Sequence, residues 1–283
     1  MCFLAGIGAG GIFSGMNPAY QVSEIRHHIK MAEVKFFLVE PPLLRKLLDA
    51  IEGMGIPTQS IFIFNPKGGD VPAGFRSWEW LLCHGEEDWL EITDVEALKN
   101  TELARLTTSG TTGLPKFALQ SHYNATSFHH MVQEARQTPF DSRQILVLPS
   151  FHVASVPGMH VSPLRNGNPV WIMRRFELEA YLASIEKFQI NILSMAPPVV
   201  MAIINSPLRK KYSLRSVRVI LCGAAPLDAE SQKKLRVLCA PDCGFTQVWG
   251  MTETTSALSL FRYPDHDDTG SVGNRFLPNT DVK

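Results

Sequence analysis

Leu106–Lys116 reads LTTSGTTGLPK, and the rest of the chain is best read outward from it. An apolar strand candidate, Leu103–Leu106, runs into seven consecutive small or hydroxylated residues, Thr107–Gly113, and then Pro115 and Lys116. Glycines let backbone N–H groups approach an anion, hydroxyls add donors, and a lysine supplies the point charge that a polyphosphate attracts. The stretch is not a Walker loop, because Lys116 follows proline and precedes Phe117 instead of Ser or Thr. A flexible Ser/Thr/Gly linker is the bland alternative, but an ordered Pro-Lys directly before another apolar run is foreign to linkers.

On both sides of this loop, short apolar runs alternate with helix-length amphipathic segments. The strand candidates are Val34–Val39, Ser60–Phe64, Ile145–Leu148, Val170–Met173, Ile190–Met195 and Val217–Cys222. In Glu177–Phe188, the residues Leu178, Tyr181, Leu182 and Ile185 share one helical face. Asp228–Leu238 is a second predicted helix, and Ser23 opens a third as its N-cap. Continuous apolar strands interleaved with helices predict an α/β protein whose β-sheets are flanked by helices. Segments 66–100 and 262–283, rich in Gly, Pro and Asp, read as connectors.

The 283 residues carry 27 Lys+Arg against 27 Asp+Glu, which is no basic footprint for a nucleic acid. No apolar run approaches the ~18 residues of a membrane span. The five cysteines, Cys2, Cys83, Cys222, Cys239 and Cys243, are odd in number and scattered. That fits free thiols in a reducing compartment, not a disulfide framework or a zinc site. A G-x-G-x-x-G at Gly6, Gly8 and Gly11 offers a rival dinucleotide-binding reading. Too little sequence precedes it for a first strand, and Pro18 would interrupt the helix that should follow. The pairs His27–His28 and His129–His130 read as surface residues of helices.

TTSGTTGLPK, followed by Gln120–Asn124 (QSHYN), closely resembles the signature loop of the adenylate-forming superfamily: acyl-CoA synthetases, 4-coumarate–CoA ligase, luciferase and adenylation domains. Phe117 departs from that pattern, where glycine is usual. Further segments resemble the family in the family's order: Gly11–Tyr20 (GIFSGMNPAY), Leu148–Gly158 (LPSFHVASVPG), Met173–Phe176 (MRRF), Ala196–Ile203 (APPVVMAI), Cys222–Leu227 (CGAAPL), Gln247–Thr254 (QVWGMTET) and Gly270–Lys283 (GSVGNRFLPNTDVK).

The resemblance implies an AMP-forming acid–thiol ligase using ATP, Mg²⁺ and CoA on a small-molecule carboxylic acid. It implies that Thr108, Ser109, Gly110, Thr111, Thr112, Gly113 and Lys116 cradle phosphates, and that Gly223, Ala224, Ala225, Gln247, Trp249 and Gly250 form the adenine side. Thr252 would donate to the α-phosphate, Glu253 would ligate Mg²⁺, His152 would line the acyl pocket and Arg175 would face CoA. With Thr252, Glu253, Lys116 and His152 as the catalytic group, Met195–Pro198 would border the acid.

The motif GMTE and the pocket segment SFHVAS favour a fatty or aryl acid over amino-acid activation. By the same resemblance, residues 1–283 are an incomplete N-terminal domain whose small C-terminal partner and ribose-binding aspartate lie outside the chain. On that expectation the 283 residues alone bind nucleotide weakly and form no thioester, and a nucleotide-binding pseudoenzyme is the rival. An intracellular setting, cytoplasmic or peroxisomal, is expected.

Overall fold

In a computed structural model, residues 2–86, 88–108, 115–267 and 269–283 are described. They divide into two compact units: Cys2–Thr93 with Leu103–Leu119, and Asp94–Glu102 with Gln120–Lys283.

The first unit holds a parallel sheet of β1 (Phe37–Val39), β2 (Ile61–Ile63) and β3 (Arg76–Ser77). Helices α1 (Cys2–Gly8), α2 (Val22–Ala32) and α3 (Pro41–Ile51) accompany it. Ile25 and Ile29 of α2 and Leu44, Leu47 and Ala50 of α3 bury against Phe37, Val39, Ile61 and Ile63. Each burial removes apolar side chains from water at about 1.5–3 kcal/mol apiece. Gly6 and Gly8 lie inside α1, so the G-x-G-x-x-G has a helix where a dinucleotide fold needs a strand-to-helix turn, and that reading fails. The cap of α2 is Gln21, whose N–H donates to Glu24 at 2.7 Å, and not Ser23.

β4 (Glu102–Thr107) and β5 (Phe117–Ser121) form a two-stranded sheet on either side of the signature loop. The connector reading of 66–100 is corrected by β3, a 3-10 turn at Trp78–His84 and α4 (Val95–Asn100). Asp94 caps α4 by accepting from Ala97 N at 2.7 Å. That capping aspartate was the sequence signal for the helix.

The second unit is organised by a five-stranded parallel sheet. Its strands are β6 (Gln144–Leu146), β7 (Val170–Ile172), β8 (Ile192–Met195), β9 (Val219–Cys222) and β10 (Gly244–Gln247). Between consecutive strands the chain passes through α6 (Ser162–Asn166), α7 (Leu178–Phe188), α8 (Pro197–Asn205) and α9 (Ala229–Arg236), as parallel connections require. The spatial order is β7-β6-β8-β9-β10, or 2-1-3-4-5 counted from β6. Ile145, Leu193, Ile220 and Phe245 carry the core, with Tyr181, Leu182 and Ile185 of α7 and Val200, Ile203 and Ile204 of α8 packed on it.

A second sheet, β11 (Trp249–Met251), β12 (Ser256–Leu260) and β13 (Arg275–Phe276), is antiparallel. It lies against α5 (His122–Ala135) through Phe128, Leu260 and Leu277. β13 corrects the connector reading of 262–283. Cys222, Cys239 and Cys243 are buried in this unit, and Cys2 and Cys83 are exposed in the other; all five thiols are free. Burial pushes the Cys222 thiol up to about 12. Among the described residues no helix is long and apolar enough to cross a membrane.

Candidate functional site

In open parallel α/β sheets, ligands bind outside the carboxyl ends of the strands, at the point where strand order reverses. Here that point lies between β6 and β8. Chain leaving β6 runs directly into the segment with His152, and chain leaving β8 continues into Ala196 and the prolines that open α8. The loops after β7 and β9 carry Arg175 and Gly223–Ala225, and Trp249 opens β11 just beyond β10. Candidates scattered over a hundred residues of sequence therefore lie along one sheet edge. Arg175 stands at its flank, exposed after the edge strand.

His152 is half-buried, and burial lowers its pKa. Its Nδ1 accepts from Ala154 N at 3.2 Å, so the neutral ring presents Nε2–H as its donor. Val153 is buried beside it. Ser155 is also buried, and its hydroxyl has no hydrogen-bond partner among the described residues.

After β9 the chain turns through Gly223 and Ala224. Ala224 holds φ 73°, a left-handed conformation costing a non-glycine residue about 1–2 kcal/mol. A Cβ at Gly223 would fall 2.8 Å from Val248 Cγ2 and 3.1 Å from Val248 O, so only glycine lets this turn approach the chain after β10. Gln247, buried, fixes the two together. Its Oε1 accepts from Leu227 N at 2.8 Å, and its Nε2 donates to Leu227 O at 3.0 Å and Gly270 O at 2.8 Å. Both amide protons are used, so Gln247 is a brace for the turn. Gly270 is placed by Asp267, whose carboxylate accepts from the backbone N–H groups of Thr269, Gly270 and Ser271. Burial raises the Asp267 pKa, but the Thr269 hydroxyl and these N–H groups outweigh it and hold the pKa low.

Trp249 is half-exposed on β11. At Gly250 a Cβ would stand 2.0 Å from Ser256 O, beside a bulge in the β11–β12 pairing. Close strand approach therefore demands that glycine, whatever ligand the site takes. The turn Thr252–Thr254 joins the two strands. Thr252 is buried and Glu253 exposed, and no hydrogen bond or ion pair among the described residues engages the Glu253 carboxylate. Buried Gln120 clamps the turn: its Nε2 donates to Thr252 O, and its Oε1 accepts from Thr255 Oγ1 at 2.5 Å. The sequence reading did not single out Gln120 for the site; its place in QSHYN was the available signal. Thr255 and Ser256 follow at φ 65° and 136°, and such strain persists where the surroundings over-determine it, commonly at functional sites.

The signature loop belongs to the other unit. Ser109, Gly110, Thr111, Thr112 and Gly113 lie outside the described residues. Thr108 N donates to Lys116 O at 2.9 Å, closing the loop's base. Lys116 is exposed, and no ion pair among the described residues uses its ammonium. The surface reading of the histidine pairs is corrected in part. His28 is buried and His129 half-buried, and each is held down to about 4, by burial first and neighbouring charge second.

A family model described as AMP-binding enzyme matches residues 1–283. Among curated proteins, the chain is 61% identical over 285 residues to acyl-CoA synthetase ACTT5 of Alternaria alternata, covering 100% of this chain and 49% of that protein. It is 43% identical over 281 residues to phenylacetyl-CoA ligase epaB of Aspergillus niger, covering 98% and 52% respectively. The chain thus spans about half the length of these curated relatives. Among solved structures, the anthranilate CoA ligase AuaEII in complex with anthranoyl-AMP superposes with TM-score 0.81 at 17% identity, over 98% of this chain and 52% of that one. A long-chain-fatty-acid–CoA ligase from Archaeoglobus fulgidus gives 0.78 at 22%, over 93% and 52%. At those identities the likeness speaks for the fold.

Proposed function

The chain belongs to the AMP-binding enzyme family, and from that premise we propose that its protein activates a carboxylic acid with ATP and passes the acyl group to the thiol of CoA. In the first step a carboxylate oxygen attacks the α-phosphorus, and the bond to the bridging oxygen breaks, releasing pyrophosphate. In the second, the CoA sulfur attacks the acyl carbon, AMP leaves with the C–O electron pair, and the thiol proton passes to solvent. The reading is carried by the placement of His152, Gly223–Ala225 and Trp249 directly after the carboxyl ends of parallel strands β6, β9 and β10.

Within it the residues divide the work. Thr108 to Lys116 stabilise the β- and γ-phosphates and the departing pyrophosphate, with Lys116 as the point charge. The Gly223–Ala225 turn offers a flat backbone to adenine, and Trp249 an aromatic face. Thr252 donates to the α-phosphate. The free, exposed Glu253 carboxylate suits a hard divalent cation, and Mg²⁺ bound there offsets phosphate charge. His152 Nε2–H orients the acid's carboxylate. Gln247 and Gly250 act one step removed, by holding the turns that make contact. Arg175, at the sheet's flank, is proposed to meet CoA.

The apolar surroundings of His152, with Val153, Ala154 and Met195, favour a medium- or long-chain fatty acid or an aryl acid over acetate. Arylacetates belong on the panel because one relative's name is phenylacetyl-CoA ligase. The reading places the protein where ATP and CoA are supplied, inside the cell. Acid-dependent ATP–pyrophosphate exchange across such a panel is the test. ADP and phosphate as products would reject the chemistry, and a clear preference for acetate or free amino acids would reject the substrate class.

A further inference from the structure

We infer that His27 and His28, neighbours on α2, are positioning residues that set the two limbs of the phosphate loop and hence the place of Lys116. The inference rests on the adenylating reading above and adds residues to its phosphate site.

Adjacent residues on a helix point about 100° apart, so one turn of α2 presents two imidazoles to two targets. His27 Nε2 lies 3.1 Å from Pro115 O. The partner is a carbonyl, so the imidazole is the donor. His28 Nε2 lies 2.8 Å from Ser14 Oγ, and Ser14 in turn donates to Arg105 O at 2.8 Å. The hydroxyl proton being spent on Arg105, His28 Nε2 carries the proton and donates to Ser14. The edge of the His28 ring also meets the Phe117 ring, centroids 4.8 Å apart at 83°.

These contacts bracket the loop. Arg105 lies on β4, which enters it, and Pro115 and Phe117 lie on the limb that leaves it. The base between them is closed by Thr108 N to Lys116 O. Lys116 thus has the His27 partner on one side in sequence and the His28 partner on the other. The far end of α2 is tied to the same strand, because Arg105 reaches Ala32 O at 3.3 Å and Glu33 Oε2 at 2.8 Å. A lysine ammonium sits on a stem with about 2 kcal/mol of rotamer entropy, so fixing its backbone is the means by which the protein can aim it. Phe117 has a place in this frame: it gives His28 an aromatic ring to pack on, where glycine would offer none.

The test compares His27→Leu and His27→Gln with the parent protein in its full chain, by acid-dependent ATP–pyrophosphate exchange over a range of MgATP and by thermal melting. Losing one hydrogen bond of ordinary strength predicts a KM for MgATP raised about 3- to 10-fold in H27L. The KM for the acid should be unchanged, and the melting temperature should fall by a few degrees at most. H27Q restores an N–H donor and should return the MgATP KM to within about twofold. An H27L protein with the parent's MgATP KM overturns the inference. So does one in which melting temperature and both KM values move together without rescue by glutamine, since that is what loss of general packing produces. His28→Gln, which keeps a donor for Ser14, should behave as H27Q does, and a raised MgATP KM there without a change in melting would also count against it. A parent that shows no exchange with any acid overturns the functional reading itself and the inference with it, whereas exchange with indifferent variants overturns the inference alone.

Discussion

The two segments proposed to handle phosphate are held in place by different chemistry. The base of the signature loop is fixed by imidazoles, His27 on Pro115 and His28 through Ser14 on Arg105. The turn at Thr252 and the turn at Gly223–Ala225 are fixed by carboxamides, Gln120 on Thr252 and Thr255, and Gln247 on Leu227 and Gly270. A carboxamide keeps the same donors and acceptors at any physiological pH. An imidazole takes up a proton in acid, and burial of His28 opposes the charge that the proton brings. The loop's frame is therefore sensitive to acid where the turns' frame is not, and each frame can be attacked separately.

The largest effect is expected at Gln247. Replacing it with leucine strands Leu227 N–H and Gly270 O, and each stranded buried group costs about 1–3 kcal/mol. A loss of about 3 kcal/mol lowers the melting temperature by roughly 6–12 °C for a domain near this size. Melting within a degree or two of the parent would mean that the amide is no brace.

Acid should act through His28. Its folded-state pKa is about 4 against an ordinary value of 6.5, because of burial and then His27. Between those values the unfolded chain binds more protons than the folded one, so stability is complete above pH 6.5 and declines as pH falls towards 4. The loss is bounded at a few kcal/mol, since one pKa unit corresponds to about 1.4 kcal/mol. Apart from His27, the rings facing His28 are Tyr20 and Phe117. His129, held down to about 4 by burial, then Arg165 and His130, adds a slope of the same sign in the other unit. The comparison is therefore drawn between parent and H28Q, by urea unfolding at stepped pH. H28Q should flatten the slope, and an unchanged slope would remove His28 as its source.

The smallest effect should come from Ala224→Gly. It relieves the φ 73° conformation but adds freedom to the unfolded chain. A net gain of about 0.5 kcal/mol is expected from those opposed terms, read as a small rise in melting temperature. A loss above about 1 kcal/mol would show that the alanine methyl itself is packed and needed.

Much of this was legible in the sequence because it depends on neighbours along the chain. The seven predicted strands all occur, five of them trimmed at their ends where pairing partners stop, while β4 and β6 begin one residue earlier than read. Phe37–Val39, for instance, is the paired part of Val34–Val39. Strands β10 and β11 were not singled out, because GFTQVWGMTET carries no apolar run; β10 is buried through its pairing with β9, and β11 is exposed. His28 was misjudged because helical spacing gives a direction but not what lies there, and Phe117 stands 89 residues further along. Gln247 and Gly250 were found by motif but assigned to the ligand. The structure gives each a mechanical reason to be what it is, in a brace and a tight strand crossing, and such reasons depend on partners distant in sequence.

The placement of the thiols has a practical corollary. Cys2 and Cys83 are exposed and fall in the unit of Cys2–Thr93, while Cys222, Cys239 and Cys243 are buried in the other. Burial raises the Cys222 thiol to about 12, and a hydrogen bond with Cys243, then burial, raises Cys239, so neither offers thiolate to a reagent in the folded state, and Cys243 is shielded by its burial. A mild alkylating agent therefore modifies the first unit at once and the second only as its sheet opens. Counting modified cysteines by mass over time would report how often that sheet breathes, with no probe added to the protein.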